Sequence, residues 1–410
     1  MATAQLKRFR VLVGGYSTSA FGSYLNMVAL NLFVYETTGS ALATGLFMVV
    51  RMASGFVAGL LGGVVAARLP RKAVMITCDL VQAGVLTIFA VVPAGAQSHL
   101  LPVVAVALGL LNTTSSVLLR SSVPELVGAE HRLRANGLLV TGRAVAMAIG
   151  FATGGILVST VGYRAAFLVD AGTFVVSATT LAVLALNFSP AAAPEHATGF
   201  RARRLATTAA LLAAPAVLAI VAIRAVDAFG SASHQVGIPI YATMLQPGSP
   251  ANFVGNFWAA WAVGLFTAHH LMTRLYHSGR RRDEWAFAVG TAVMSGAFIV
   301  AFAGIAQPWV LAVAMVAGLA DGFTEITYTT RIQAEPDPAR GYFFGLTAMA
   351  ENASLGVGMF AAAGLLEVWH PFGVAGAMHG LVIVLTLGYL VFAVVRRSRA
   401  EDRQSVSSGS

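Results

Sequence analysis

The chain has one cysteine, Cys78, in 410 residues. A single thiol excludes an internal disulfide and any cysteine-based metal cluster, and it leaves the redox compartment open. Charge is almost as scarce: Asp, Glu, Lys and Arg make up 10% of the residues, against about 25% in a soluble domain. The patterns of common enzymes are also missing, with no nucleophile elbow, phosphate-binding loop or metal-spaced His/Cys cluster. His269 and His270 are neighbours on one predicted helix and so point apart, whereas chelation from one helix needs a spacing of three or four. No polar stretch is long enough for a catalytic or nucleotide-binding domain. The sequence therefore reads as no enzyme, with no cofactor, no metal and no use of ATP.

Apolar residues are abundant: 57% of the chain is hydrophobic and the mean hydropathy is +0.76. A membrane span takes about 20 apolar residues, and twelve such runs are predicted. They cover 10–36, 41–66, 73–95, 100–121, 135–160 and 164–187, then 213–243, 252–276, 285–305, 308–331, 341–366 and 372–395. The expected organisation is an N-terminal six-helix bundle over 1–188, a cytoplasmic linker over 189–207, a C-terminal six-helix bundle over 208–397 and a flexible cytoplasmic tail over 398–410. The first apolar run is too long for a signal peptide and is expected to stay in the protein.

The net charge of +9 does not indicate nucleic acid, because the basic residues fall in short clusters between apolar runs. These are Lys7, Arg8 and Arg10; Arg68, Arg71 and Lys72; Arg132 and Arg134; Arg201, Arg203 and Arg204; Arg280, Arg281 and Arg282; and Arg396, Arg397 and Arg399. Arg164 alone falls on the other side. Basic loops stay cytoplasmic, which predicts cytoplasmic termini and an even number of spans in each half, in the lipid bilayer of a bacterial inner membrane.

The halves repeat. Ala20-Phe21-Gly22-Ser23 recurs as Ala228-Phe229-Gly230-Ser231, Gly39-Ser40 as Gly248-Ser249, and Arg71-Lys72 as Arg280-Arg281, all at an offset of about 208 or 209 residues. Parallel repeats about an axis along the membrane normal place a binding cavity between them.

The segment Gly63-Val64-Val65-Ala66-Ala67-Arg68-Leu69-Pro70-Arg71-Lys72 resembles the signature loop of the major facilitator superfamily, which runs Gly, three residues, Asp-Arg, one residue, Gly-Arg-Arg/Lys. Gly63, Arg68, Arg71 and Lys72 match; Ala67 stands where the family has Asp and Pro70 where it has Gly, so Asp79 is the candidate replacement acid. Further matches are Pro124-Glu125-Leu126-Val127 with Ala135-Asn136, the run Phe167 to Ala171, and Gln333 with Pro336, Asp337, Arg340 and Gly341. Together they are similar to the branch that holds enterobactin-type siderophore exporters and macrolide efflux proteins. The resemblance implies an all-α membrane fold of twelve helices in two pseudo-symmetric bundles, working by alternating access as a monomer.

An ionised side chain at mid-span costs roughly 2.5–3.5 kcal/mol on insertion scales and usually faces a cavity or a partner. Asp227 and Arg224 are one turn apart, so either Asp227 binds a proton or cation under the influence of Arg224 or the two form a fixed structural pair. Asp321 and Glu325 share a helix face, as a proton relay or with Glu325 neutralising Arg331. Glu351 is a further proton-coupling candidate or a packing anchor. Arg51 and Arg143 are expected as charge partners of these acids or as seats for an anionic group, and Asp170 as a hydrogen-bonded structural acid. Candidates for the substrate cavity are Phe21, Tyr24, Asn26, Phe229, His234, Trp258, Trp261 and Tyr328, with packing as the alternative for each. The predicted function is export of a hydrophobic or amphipathic small molecule (drug, antibiotic or siderophore-like) in exchange for protons. An importer or uncoupled facilitator, or a lipid-handling or non-transporting protein, is the alternative.

Overall fold

A computed structural model of the chain describes residues 2–38, 41–185, 214–246, 250–275 and 280–408. Those residues form twelve α-helices and no strand: α1 (Ala2–Thr38), α2 (Ala41–Arg68), α3 (Arg71–Val91), α4 (Ala94–Val127), α5 (Arg132–Val161), α6 (Tyr163–Val183), α7 (Pro215–Leu245), α8 (Pro250–Leu275), α9 (Arg280–Ala301), α10 (Gln307–Ile332), α11 (Asp337–Leu366) and α12 (Pro371–Ser408). The boundaries follow local chemistry. Pro70 and Pro93 precede α3 and α4, and prolines fall within the first two positions of α7, α10 and α11, where the missing N–H is not needed. Gly128 and Gly162 end α4 and α5 with φ of 80° and 90°, a region open to glycine at little cost.

Two elements differ from expectation. Helix α4 runs six residues past its predicted end at 121, through Pro124, and α12 continues through the expected tail to Ser408. The linker lies outside the described residues, as do Gly39, Ser40, Gly248 and Ser249 of the repeat.

Among the described residues ten helices are long and apolar enough to cross a membrane. Helices α1 and α8 fall short because they are rich in polar residues; three of those in α1, Ser19, Ser23 and Asn31, face an internal cavity. Leu46, Leu60, Ile156, Trp309, Phe360 and Val384 stand exposed on the outside. Such a surface suits hydrocarbon and would drive aggregation in water. The protein is a multi-pass membrane protein.

Packing within the halves is the same pattern twice. Helix α1 packs on α5 and α6, α2 on α4, and α3 on α4 and α6; six helices later, α7 packs on α11 and α12, α8 on α10, and α9 on α10 and α12. The repeated tetrapeptide sits at matching places. A side chain at Gly22 would strike Asp170 and Thr173 on α6, and one at Gly230 would strike Val382 and His379 on α12. The polar pair beside each glycine is also matched: Asn26 Nδ2 donates to Asp170 Oδ2 at 2.7 Å, and His234 Nδ1 lies 3.2 Å from His379 Nε2. Both pairs pin the first helix of a half to its sixth. The halves meet through α2 against α11 and α5 against α8, with α4 and α10 adding contacts.

Candidate functional site: a central cavity and its charge cluster

A cavity of about 630 Å³ opens between the halves. Its walls include Tyr16, Ser19, Ser23, Tyr24 and Asn31 from α1, Arg51 from α2, Asp79 and Gln82 from α3, Asn112, Thr113 and Arg120 from α4, Arg143 from α5, Tyr328 from α10, and Glu351 and Asn352 from α11. Met27, Met48, Met52 and Met359 supply adaptable apolar surface. A smaller cavity of about 80 Å³ shares Tyr16, Arg120 and Arg143 with it and adds Arg224, Trp261, Asp321 and Glu325.

The predicted acids gather around Arg224. Its Nη2 donates to Glu325 Oε2 at 2.6 Å, its Nε to Glu351 Oε1 at 2.6 Å, and its Nη1 reaches Asp227 Oδ2 at 3.4 Å. Its guanidinium also lies 5.6 Å from the centre of the Tyr328 ring, a cation–π arrangement. The second oxygen of Glu325 forms an ion pair with Arg120 Nη1 at 2.8 Å, and that pair crosses from one half to the other. Asp227 is held least: its contact with Arg224 is the longest of the set, and its Oδ1 is buried with no hydrogen-bond partner. Asp321 lines the smaller cavity with no cation within 4.0 Å among the described residues.

Several expectations are corrected. Arg331 does not neutralise Glu325; it is bound by Glu284 at 2.8 Å and by Glu335 one turn on. Arg51 and Arg143 make no ion pair within 4.0 Å among the described residues, although Glu325 and Asp321 stay within electrostatic reach of Arg143 and Asp170 of Arg51. Arg143 Nε instead donates to Tyr24 Oη at 2.8 Å. Of the cavity candidates, Tyr24 and Tyr328 face the large cavity and Trp261 the small one. Phe21 and Phe229 pack against hydrophobic clusters within their halves, and Trp258 against a cluster that joins α5 to the C-terminal half. Asn26 and His234 are the interhelical pins described above, and the His234 ring stacks on Phe298 with centroids 3.6 Å apart. Phe21 lies two residues from cavity-facing Ser19 and Ser23, and Asn26 two from Tyr24, a step of about 200° that carries both to the opposite side of α1.

Sequence reasoning missed Arg120, whose position one residue before the predicted end of its helix made it look like a flanking cation. It also gave Asp79 the wrong place. Asp79 lies two turns inside α3 on the cavity wall, and Glu125 and Asp337 supply the acids of the signature loop. Arg71, 1% exposed, donates to Ala66 O at 2.9 Å, to Glu125 at 3.1 Å and to Asp337 at 2.8 Å, and Arg340 binds the same two acids. Asp337 opens α11, where the helix dipole favours a carboxylate. Gly63 lies against Tyr342, Lys72 Nζ caps α6 through Ala182 O and Leu184 O, and Arg68 is exposed. A second crossing joins α5 to α10: Asn136 Nδ2 donates to Thr330 Oγ1 at 2.9 Å and Gln333 Oε1 at 2.8 Å, and Gln333 Nε2 donates to Arg120 O at 2.8 Å. Both crossings lie at one end of the molecule, where the halves are closed.

Comparison with known proteins agrees with this architecture. Residues 12–358 match the Major Facilitator Superfamily. Enterobactin exporters EntS of Escherichia coli (strain 536) and of Shigella boydii serotype 18 are each 27% identical over 400 residues, covering 93% of this chain and 91% of the relative. Among solved structures, the human organic anion transporter MFSD10 superposes with a TM-score of 0.76 at 14% identity, covering 93% of this chain and 99% of that one. The transporter FucP in the outward conformation gives 0.74 at 13%, covering 92% and 97%. A bacterial homologue of ferroportin in an outward-facing state gives 0.70 at 15%, covering 94% and 99%. The chain belongs to the major facilitator superfamily and is a membrane transporter, not an enzyme.

Proposed function

We propose that the protein exports a hydrophobic or amphipathic small molecule in exchange for protons, with Asp227 as the residue that gains and loses the proton. The observation that carries this reading is one guanidinium, Arg224, shared by three carboxylates of which Asp227 is bound most weakly. Like charges this close at membrane depth favour neutralising one acid, and a proton is the smallest neutralising cation. Glu325 and Glu351 hold Arg224 in place, and Asp321 offers a second acid on the same side. When Asp227 takes a proton, Arg224 is left to Glu325 and Glu351, and the Glu325 bridge to Arg120 transmits that change to the other half.

Export is supported by the likeness to the enterobactin exporters. The cavity suits an amphipathic guest, with tyrosines and methionines around a few placed polar groups. The basic clusters support a reading with both termini, and the end tied by Arg71 and Arg340, in the cytoplasm of a bacterial inner membrane.

The test is accumulation of a set of amphipathic dyes, fluorescein among them, in an efflux-deficient bacterium expressing the full chain, with and without a protonophore. Reduced accumulation that the protonophore restores, and that Asp227→Asn abolishes, is the expected result. Protonophore-insensitive export, or uphill uptake, would overturn the reading.

A further inference from the structure

The charge cluster accounts for Arg120 and Arg224, but two further guanidiniums on the cavity wall lie beyond ion-pair distance of any carboxylate among the described residues, with Asp170 the acid in electrostatic reach of Arg51 and with Glu325 and Asp321 in reach of Arg143. Arg51 on α2 and Arg143 on α5 both line the large cavity. Neither has a carboxylate within 4.0 Å among the described residues, and Arg143 exposes surface that belongs to the cavity. Tyr24 connects them: its hydroxyl accepts from Arg143 Nε at 2.8 Å, and it lies within electrostatic reach of Arg51. The acids nearest this wall are otherwise engaged. Asp170 is behind it, accepting from Asn26 and Thr173, and Glu351 is taken by Arg224. Asp79 is the one remaining carboxylate on the cavity wall, and it faces Ser177.

Charges inside membrane spans are expensive and mark substrate paths when they face water-filled space. A cleft with low-dielectric walls also concentrates the field of any uncompensated charge within it. From this arrangement we infer that the transported molecule is an organic anion whose acidic group docks between Arg51 and Arg143, with its apolar body against Tyr24, Tyr328 and Met52. The inference rests on the reading of this cavity as the substrate site, and it narrows that site from amphipathic compounds in general to acidic ones. Two planar guanidiniums present a fork to a carboxylate, phenolate or phosphate. The cavity volume lies within the range of roughly 300–1,000 Å³ that holds drug-sized ligands.

Equilibrium binding to the purified full chain tests the seat without needing a proton gradient or a direction of flux. The probes are fluorescein, an anionic xanthene dye at mildly alkaline pH, and a rhodamine ester, cationic on the same ring system, each followed by fluorescence anisotropy. Fluorescein binding is expected to weaken by roughly tenfold or more in Arg51→Met and in Arg143→Met. The Lys variants, which keep the charge and lose the fork, fall between, and rhodamine binding does not weaken. Where a Met variant does not elute as a folded species, Arg→Gln replaces it. Failure of the wild type to bind fluorescein, equal fluorescein binding in the variants, or parallel loss of both dyes would overturn the seat. Because dye export under a protonophore is scored separately, loss of the proton-driven reading with retained Arg-dependent fluorescein binding would leave the anion seat standing.

Discussion

At the scale of single residues, the acids of the cluster are not equivalent, and the distances decide how each responds to substitution. Asp227 is tied to Arg224 by one contact of 3.4 Å, so Asp227→Asn removes a charge and keeps the shape. That protein is expected to reach the membrane at the wild-type level and to lose protonophore-sensitive fluorescein export by about tenfold or more. Glu325 binds both Arg120 and Arg224 at 2.8 and 2.6 Å, and Glu325→Gln leaves Arg120 without its acid. Breaking a buried pair from one side costs on the order of 3–5 kcal/mol. A clear fall in the melting temperature of the purified protein is therefore expected for Glu325→Gln and not for Asp227→Asn; equal melting of the two would refute the distinction. The acids were legible in the sequence because a carboxylate inside an apolar run is conspicuous. Their partners were not, because Arg331 is six residues from Glu325 in sequence but turns to Glu284, while Arg120 reaches Glu325 from a different half.

At the scale of elements, closure at the end tied by Arg71 and Arg340 depends on how nearly α2 can approach α11. Gly55, Gly59 and Gly63 recur every four residues on α2 and so share one face. A Cβ at Gly59 would collide with the backbone of Met349 and lie 2.7 Å from Gly345 O; one at Gly55 would lie 2.7 Å from Asn352 Oδ1. Small residues permit such approach between membrane helices, and the ion pairs of Arg71 and Arg340 with Glu125 and Asp337 close the same end. Gly59→Leu is expected to separate α2 from α11. Spin labels at Glu130 and Glu335, on a Cys78→Ser background, should show a longer and broader distance distribution in that variant; an unchanged distribution would mean that the helices do not set the closure. The twelve helices and the repeat were readable from hydropathy and from Ala20-Phe21-Gly22-Ser23. The equivalence of Asn26–Asp170 and His234–His379 was hidden because the two halves use different residue types for the same interhelical pin.

At the scale of the whole molecule, the repeat is symmetric in packing and asymmetric in charge. Around the cavities the N-terminal half contributes Arg51, Arg120 and Arg143 with one acid, Asp79, and the C-terminal half contributes Asp321, Glu325 and Glu351 around Arg224, with Asp227 beside that guanidinium. An anionic substrate would therefore sit on one half and a proton on the other, and alternating access must change the junction between them. At the closed end that junction includes Asn136 on α5 and Thr330 on α10, joined at 2.9 Å. Cysteines at those two positions, again with Cys78→Ser, can be joined by a short thiol cross-linker. If the halves rock about the cavity, the cross-linked protein should keep its fluorescein affinity, because the seat on Arg51 and Arg143 lies within one half. It should also lose protonophore-sensitive fluorescein export until the link is cleaved. Export by the cross-linked protein would mean that the α5–α10 contact does not open during transport. Loss of binding on cross-linking would mean that the anion seat needs the closed end to move, joining the two halves in substrate recognition as well as in transport.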